Sequence, residues 1–329
     1  MLQRNLFKKI AAFLISIFIL NLFSKCADNS SDKQNVNNEF SKYISAFTTN
    51  IISNQSSISI EFESETAKKL VHQKTENLFE FTPKISGAVF WEGKNKIVFK
   101  PKYLEPGTDY KVVFHLNKLL PVTKGFEVFE FNFKTITPSL LFKESTIKPV
   151  SEESLVWYAL SSEINSSDYI APNLIERGIK AFINHRELPL SWRHTNQNKT
   201  HLLEIDSIER TEFSQEIQLR WDGNFMGFSD RGVQVLELSS LKDFKLLKTI
   251  NPQEGQPYIM LRFSDPIDKS QDLRGLIKLG GLDDLTFEIT NNEIRVHPKE
   301  KQIGSSILEI SADIQNMNGF RLSEVKNIE

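Results

Sequence analysis

Short runs of alternating apolar and polar residues dominate this chain after its amino-terminal stretch. The run Ile58–Phe62 alternates in this way, and residues 110–116 and 129–133 do the same. Because successive side chains of a β-strand point to opposite faces, each run predicts a strand with one face in a core and one in water. Turn-forming sequences separate the runs, at positions 82–83, 92–93, 105–107 and 124–125. We therefore predict a mainly β fold of tandem antiparallel β-sandwiches.

An internal repeat links the two ends of this β region. The run Ile58–Phe62 corresponds to Ile259–Phe263, and residues 97–101 correspond to residues 294–298. In both copies a proline closes the second segment, and a glycine, Gly107 or Gly304, follows before the next strand. Proline withholds its N–H from a ladder, and glycine supplies the freedom for a turn. The repeat predicts two copies of one sandwich design flanking a different middle segment.

The middle segment is also predicted to be mostly β. Its clearest helix is at residues 171–178, with Pro172 near the start and Gly178 at the end, and a second short helix is expected at 64–71. We divide the chain into a signal peptide at 1–25, a flexible linker at 26–40, and β domains at 41–137, 138–249 and 250–329. Strands of the middle domain are expected at 179–183, 202–205, 217–221 and 233–238.

The amino terminus has the pattern of a secretory signal. Basic residues within 1–9 precede an apolar run at 10–23 that is short for a membrane span, and the only cysteine, Cys26, follows it. Residues 22–26 resemble a bacterial lipobox, which implies that Cys26 is lipidated and that the chain is a lipoprotein of the bacterial cell envelope, on an outer membrane and facing either the periplasm or the cell surface. Lys25 stands where a lipobox has a small residue. Cleaved secretion and an uncleaved anchor therefore remain alternatives.

Composition excludes some function classes. A net charge of −2 provides no basic field for nucleic acid. With Cys26 committed to lipid, no disulfide is available within the mature chain. Stability is therefore expected to come from apolar cores.

Residues with catalytic or ligand chemistry form no recognisable motif, so we predict no catalytic residue, no metal and no cofactor. His115 is expected to face solvent, and His194 with His201 is interpreted as a hairpin pair rather than a metal pair. The acidic cluster at Asp265, Asp268, Asp272, Asp283 and Asp284 lacks EF-hand spacing and is interpreted as loop solvation. Trp192 and Trp221 are expected to be buried, whereas the pair Trp157 and Tyr158 is either a surface contact or a joint between domains.

The order of several motifs resembles the amino-terminal region of bacterial alpha-2-macroglobulins, especially the long lipoprotein type. The first immunoglobulin-like domain of that family is matched by Ser64 and by residues 79–83, 107–110, 116–119 and 131. Its macroglobulin-like domain is matched by residues 188–192, Arg210, 221–223, Gly232 and 244–245, and the start of its next domain by residues 258–259 and 263–267. The resemblance implies immunoglobulin-like domains at 41–137 and 250–329 and a macroglobulin-like domain at 138–249.

Members of that family trap proteases through a bait segment and a Cys-x-x-Gln thioester. Cys26 is the only cysteine here, so thioester chemistry is not expected. The resemblance implies a non-enzymatic, lipid-anchored scaffold like the family's membrane-proximal arm, truncated before the bait and thioester domains. Its expected partners are the membrane, through the lipid anchor, and a protein, either a protease or downstream macroglobulin domains. The alternative is a surface adhesin or glycan-binding lipoprotein, and an unrecognised hydrolase is the third reading.

Overall fold

The computed structural model describes residues 38–70, 75–251, 258–280, 284–299 and 305–328. Along these residues three sandwich units follow one another, each with two sheets packed around its own apolar core. Nearly all neighbouring strands are antiparallel, and helices are few and short. The predicted mainly β fold is confirmed.

The first unit (described residues of 38–137) contains eight strands and helix α1, Ser64–Ala67. The strands are β1 Ile44–Phe47, β2 Ile51–Ile52, β3 Ile58–Phe62, β4 Phe79–Thr82, β5 Gly87–Glu92, β6 Lys96–Pro101, β7 Asp109–Phe114 and β8 Phe129–Thr135. Sheet β1-β3-β6-β5 packs on sheet β2-β8-β7-β4. Phenylalanine fills the space between the sheets: the Phe81 and Phe99 ring centroids are 4.5 Å apart, and those of Phe47 and Phe129 are 5.0 Å apart. Large aromatic side chains supply much buried area to a small core.

The second unit (138–243) contains nine strands and helix α2, Pro172–Gly178. The strands are β9 Leu140–Phe142, β10 Thr146–Pro149, β11 Trp157–Ser166, β12 Ile179–Ile183, β13 Arg186–Leu188, β14 Ser191–Thr195, β15 Thr200–Glu209, β16 Gln215–Asp222 and β17 Arg231–Leu238. One sheet has the order β10-β11-β15-β14, with β9 also on β11, and the other has the order β13-β12-β16-β17. The strands predicted for this segment all lie within observed strands.

The third unit (described residues of 244–328) contains seven strands. They are β18 Leu246–Ile250, β19 Ile259–Phe263, β20 Ile277–Leu279, β21 Leu285–Thr290, β22 Glu293–Pro298, β23 Leu308–Ile310 and β24 Lys326–Ile328. Strand β18 pairs with β19, and Phe244 is buried in the core of this unit. The unit therefore begins near residue 244, before the boundary expected at 249. Most of its first strand, β18, lies in the range 138–249 predicted for the middle domain.

Both copies of the internal repeat form the same structure. Ile60 of β3 pairs with Ile97 of β6, and their counterparts Leu261 of β19 and Ile294 of β22 pair in the same register. The backbone N–H of Phe62 donates to the Asn95 carbonyl, as that of Phe263 donates to Asn292. Gly304 lies outside the described residues. The repeated sequence therefore encodes a central strand pair, because the same alternating apolar residues fill both cores.

Both predicted helices form, but Gly178 has a different role from the one expected. Helix α1 spans less than the predicted 64–71. In α2, Gly178 ends the helix without a positive φ, so it is not a left-handed cap. A Cβ at Gly178 would lie 2.7 Å from the end of the Met226 side chain and 3.2 Å from the Asp222 carbonyl, so glycine permits the close approach of the helix to the turn after β16.

Candidate functional site

A buried arginine joins the second and third units. Arg210 follows β15, is only 2% exposed, and uses its whole guanidinium group. Nε donates to the Ser239 carbonyl at 2.6 Å, and Nη2 donates to the carbonyls of Ser240 and Asp243. Nη1 donates to the Tyr158 hydroxyl at 3.0 Å and to the Asp265 carboxylate. All five N–H donors of the side chain therefore have acceptors.

Asp265, the partner of Arg210 in the third unit, is completely buried. The Asn316 amide donates to its second oxygen at 2.7 Å. The Tyr158 hydroxyl, from β11 of the second unit, donates to the Ser264 carbonyl at 2.7 Å. We call Tyr158, Arg210, Asp265 and Asn316 the Arg210 joint. Of the two roles left open for Tyr158, a surface contact or a joint between domains, the structure shows the joint.

The electrostatics of the Arg210 joint favour a fixed geometry. Burial, together with the nearby Asp265 charge, raises the pKa of Tyr158 far above its ordinary value, so the phenol remains a neutral donor. A buried ion pair has little net effect on stability compared with apolar packing, but removal of one partner costs about 3–5 kcal/mol. The joint therefore holds only when the two units dock in the orientation that pairs both charges.

A second buried carboxylate joins the first and second units. Asp168, in the loop after β11, is completely buried. The Ser53 hydroxyl donates to its Oδ1 at 2.6 Å, and the Asn54 backbone N–H donates to Oδ2 at 2.8 Å. Lys199 lies 3.2 Å from Oδ1, and the Asn54 amide donates to the Tyr169 carbonyl at 2.9 Å. We call Ser53, Asn54, Asp168 and Lys199 the Asp168 joint.

The carboxylate of the Asp168 joint is stabilised in its charged form. Burial by itself would raise the pKa of Asp168, but the hydrogen bonds from Ser53 and Asn54, with Lys199, lower the pKa below its usual range. Pro106 of the first unit also packs on Gly227 of the second, where a Cβ would lie 2.8 Å from the proline ring. Both units therefore contribute apolar and polar contacts to one interface.

His194 and His201 face each other across the β14–β15 hairpin. Their Nδ1 atoms are 2.8 Å apart, and His194 Nε2 lies 3.2 Å from Glu176 of α2. Because the Glu176 carboxylate only accepts, we assign a proton to His194 Nε2, so that His201 Nδ1–H donates to His194 Nδ1. His201 is fully buried and its Nε2 has no partner. Burial, with the neighbouring His194, lowers the pKa of His201 to about 4.

Most residues singled out for chemistry lie apart from one another. Within the described parts of the chain, no three His, Cys, Asp or Glu side chains are placed to hold a metal ion. Asp265 lies in the Arg210 joint, Asp268 accepts from Ser270, and Asp272 pairs with Arg274. Asp284 pairs with Lys299, and Asp283 lies outside the described residues.

The aromatic and histidine predictions were correct only in part. Trp192 and Trp221 pack against the core of the second unit but are partly buried rather than enclosed. Trp157 is 44% exposed. His115 faces outward, as predicted, but is only partly exposed, because its Nε2 lies 2.7 Å from the Glu80 carboxylate of the neighbouring strand.

An open groove lies beside the Arg210 joint. It has a volume of about 400 Å³ and is lined by residues 153–156 and 241–242, with Glu212, Asn318 and Phe320. Trp157 follows the first of these segments. The groove therefore lies where the second and third units meet.

The predicted signal peptide, Cys26 and residues 26–37 of the predicted linker lie outside the described residues, whereas Phe40, at the end of that linker, is buried in the core of the first unit. No helix in the described ranges is long and apolar enough to cross a bilayer. The Arg210 and Asp168 joints were not predicted as sites. Arg210 and Asp265 each fall in a segment of the macroglobulin resemblance, which was the one signal pointing to them.

Comparison with protein-family models and with curated proteins finds no match for this sequence. Solved structures give distant likenesses. One is SGBP-B of the Bacteroides ovatus mixed-linkage glucan utilization locus, solved with a mixed-linkage heptasaccharide, at 10% identity and a TM-score of 0.28 over 85% of this chain. This chain spans 64% of the length of that protein.

Two further likenesses are similarly remote. The full ectodomain (Ig1–Ig3) of mouse nectin-like molecule 4 has 9% identity and a TM-score of 0.26, over 82% of this chain and 93% of that one. An L,D-transpeptidase from Mycobacterium tuberculosis has 10% identity and a TM-score of 0.21, over 59% and 76%. Because all these scores and identities are low, the likenesses carry no argument about function. The sandwich fold rests on the strand pairing described above.

Proposed function

We propose that this protein is a non-enzymatic scaffold, an arm of three sandwich units that works by position and contact. The observation that carries the proposal is the pair of buried joints. Asp168 and Arg210 are charged groups that are enclosed only when neighbouring units dock in one orientation. Such joints are typical of a stiff arm, because bending would expose or unpair a buried charge.

The arm is held to a membrane through lipid on Cys26, in the manner of the membrane-proximal arm of bacterial alpha-2-macroglobulins that the sequence resembles. This places the protein in a bacterial cell envelope. Several acyl chains, at about 0.8 kcal/mol per buried methylene, are sufficient for lasting attachment. The only cysteine is at position 26, so the described units act without a thiol.

Stiffness is tested by distances between spin labels on exposed positions of the first and third units. Ile51 and Val325 are suitable sites, since they are 65% and 60% exposed. A scaffold gives one narrow distance distribution, and Arg210→Met broadens it. A broad distribution in the parent chain would refute the proposal.

Attachment is tested by fractionation of expressing bacteria. Cys26→Ser is expected to move the protein from the membrane to the soluble fraction, and Ser24→Ala is the matched control beside it. Unchanged partitioning of Cys26→Ser would exclude the lipid anchor and favour an uncleaved membrane segment. A covalent adduct with an added protease, or turnover in a broad hydrolase panel, would contradict the non-enzymatic proposal.

A second candidate function is that of a surface adhesin or glycan-binding protein. The observation that favours it is the groove beside the Arg210 joint, where Phe320 is 42% exposed and Trp157 lies close in sequence. Exposed aromatic rings are enriched at recognition surfaces. Binding on a glycan or matrix-protein array that is lost in Trp157→Ala or Phe320→Ala would support it, and a blank array would count against it.

A further inference from the structure

Strand β17 is an unusual edge. It closes one sheet of the second unit, pairs only with β16 among the residues that the structure describes, and is the longest edge strand in that part of the chain. Its eight pairs with β16 run without a bulge, from Asp222↔Arg231 to Gln215↔Leu238. A long, regular edge without proline is a template for another strand.

The outward face of β17 is apolar at its centre and charged at its ends. Val233 and Val235 are each 51% exposed. Arg231 and Glu237 flank them on the same face, and the side chains of these two residues are 65% and 60% exposed. Exposed valines on an unprotected edge are a liability that proteins normally block with charge, proline or a covering partner.

The sequence of this edge is complementary to itself. If two copies of β17 pair antiparallel about a twofold axis at Gln234, Val233 lies opposite the partner copy's Val235, and Arg231 lies opposite the partner copy's Glu237. Directly opposed residues of antiparallel strands point to the same face, so the valines and the opposite charges meet on one side of the joined sheet.

Charges within each copy extend this match. Asp222 lies 3.1 Å from Arg231, and Lys245 lies 3.3 Å from Glu237. In the paired sheet, Lys245, Glu237, and the partner copy's Arg231 and Asp222 form a row of alternating sign at each end. The same pairing shifted by one residue would turn the charges to opposite faces, so the register is specified.

We propose that β17 is the interface of a homodimer, in which a second copy of this chain extends the sheet across a twofold axis at Gln234. An isologous interface uses the same patch on both subunits, as this self-complementary strand requires. The inference does not depend on the scaffold proposal, because it concerns only the edge of one unit.

Sedimentation equilibrium of the full chain in detergent tests the proposal. We expect a monomer–dimer equilibrium in which Val235→Lys raises the dissociation constant about tenfold or more, because two lysines enter the apolar centre of the symmetric interface. The control is Val325→Lys, at a valine of the third unit that is 60% exposed, and it should leave the equilibrium unchanged. Circular dichroism confirms that both variants are folded.

Charge reversal tests the register. Arg231→Glu should weaken the dimer, and the double variant Arg231→Glu/Glu237→Arg should recover part of the affinity, because the twofold axis makes each chain supply both members of the pair. Recovery is incomplete because Asp222 and Lys245 then each face a like charge in their own chain. In a Cys26→Ser background, Val233→Cys chains mixed with Val235→Cys chains should form a disulfide more readily than either alone.

Three results would overturn the proposal. One is a parent chain that stays monomeric at every concentration. This outcome would still overturn the proposal if the monomer bound a different strand-forming protein through β17. Another is a dimer that is indifferent to Val235→Lys. The last is a double charge variant no better than Arg231→Glu alone.

Discussion

Substitution of Arg210 by methionine is the sharpest test of the buried joint between the second and third units. The change keeps an apolar stem but removes all five donors. Asp265 is then left as a buried carboxylate with Asn316 and Tyr158 as its remaining neighbours, and three carbonyls lose charged donors. An unpaired buried charge costs about 3–5 kcal/mol. In a unit of this size, 3 kcal/mol corresponds to a fall in melting temperature of about 12 °C or more.

A double-mutant cycle separates the charge pair from simple packing. Arg210→Met and Asp265→Leu should each be strongly destabilising, but the double variant should be more stable than Arg210→Met alone, since no unpaired charge remains. Lys269→Met, which breaks an exposed ion pair with Glu152 between the same units, is the control and should barely change the melting temperature.

Differential scanning calorimetry suits this cycle, because a chain of three units can unfold in more than one transition and calorimetry resolves each of them. The four tryptophans lie in the first and second units, so a transition that changes tryptophan fluorescence belongs to one of those units. The third unit contributes no tryptophan signal. If Arg210→Met lowers no transition by more than a few degrees, or if the effects of the two single variants simply add, Arg210 and Asp265 are not energetically coupled and the reasoning is wrong.

The other predictions concern Gly232 and His201 of the second unit and Asp168 of the Asp168 joint. Gly232→Val should lower the stability of the second unit by at least about 2 kcal/mol, because a Cβ there would lie 2.1 Å from the Trp221 ring. Val150→Thr, at a 53% exposed valine of the same unit outside β17, is the control, and equal melting temperatures for the two variants would refute the clash. His201 binds a proton with a pKa near its ordinary 6.5 when unfolded but about 4 when folded, so the unfolded state binds more protons between these values. Acidification through that range should therefore remove about 3 kcal/mol of stability, and His201→Leu should flatten this pH dependence in thermal unfolding. Asp168→Ala should destabilise the contact between the first and second units by about 1–3 kcal/mol and broaden the distribution of spin-label distances between them. An unchanged distribution would show that the carboxylate does not hold the joint.

The strands and their repeat could be predicted because they depend on local pattern. The alternation in Ile58–Phe62 and its copy in Ile259–Phe263 identifies which side chains enter a core, and pairing follows once each strand finds its neighbour. The hairpin that brings His194 against His201 was also predictable, since a short turn separates them. The start of the third unit was misplaced because an edge strand such as β18, half exposed along its length, lacks strong alternation.

The joints were beyond prediction because their partners are far apart in sequence. Tyr158 could be singled out as a joint residue, but its contact with Asp265 spans 107 positions. An aspartate in a polar loop is ordinarily solvated, so Asp265 was grouped with exposed neighbours such as Asp268. Only the docking of two complete units encloses it. The partial cover of His115 was missed for a related reason, since it depends on Glu80 of the adjacent strand, which lies 35 positions earlier in the sequence.

The chemistry of the two joints implies that they differ in strength. Asp168 is held by neutral donors and by Lys199, whose side chain is 34% exposed, so water can replace part of its environment when the units separate. Arg210 and Asp265 lie at 1% and 0% side-chain exposure, so a small opening that breaks the pair before water enters leaves two unpaired charges in an apolar setting. The larger penalty therefore falls on the second joint. If the proposed arm deviates at all from one narrow distribution of distances, we expect the remaining motion to lie between the first and second units, with the second and third units moving as one body.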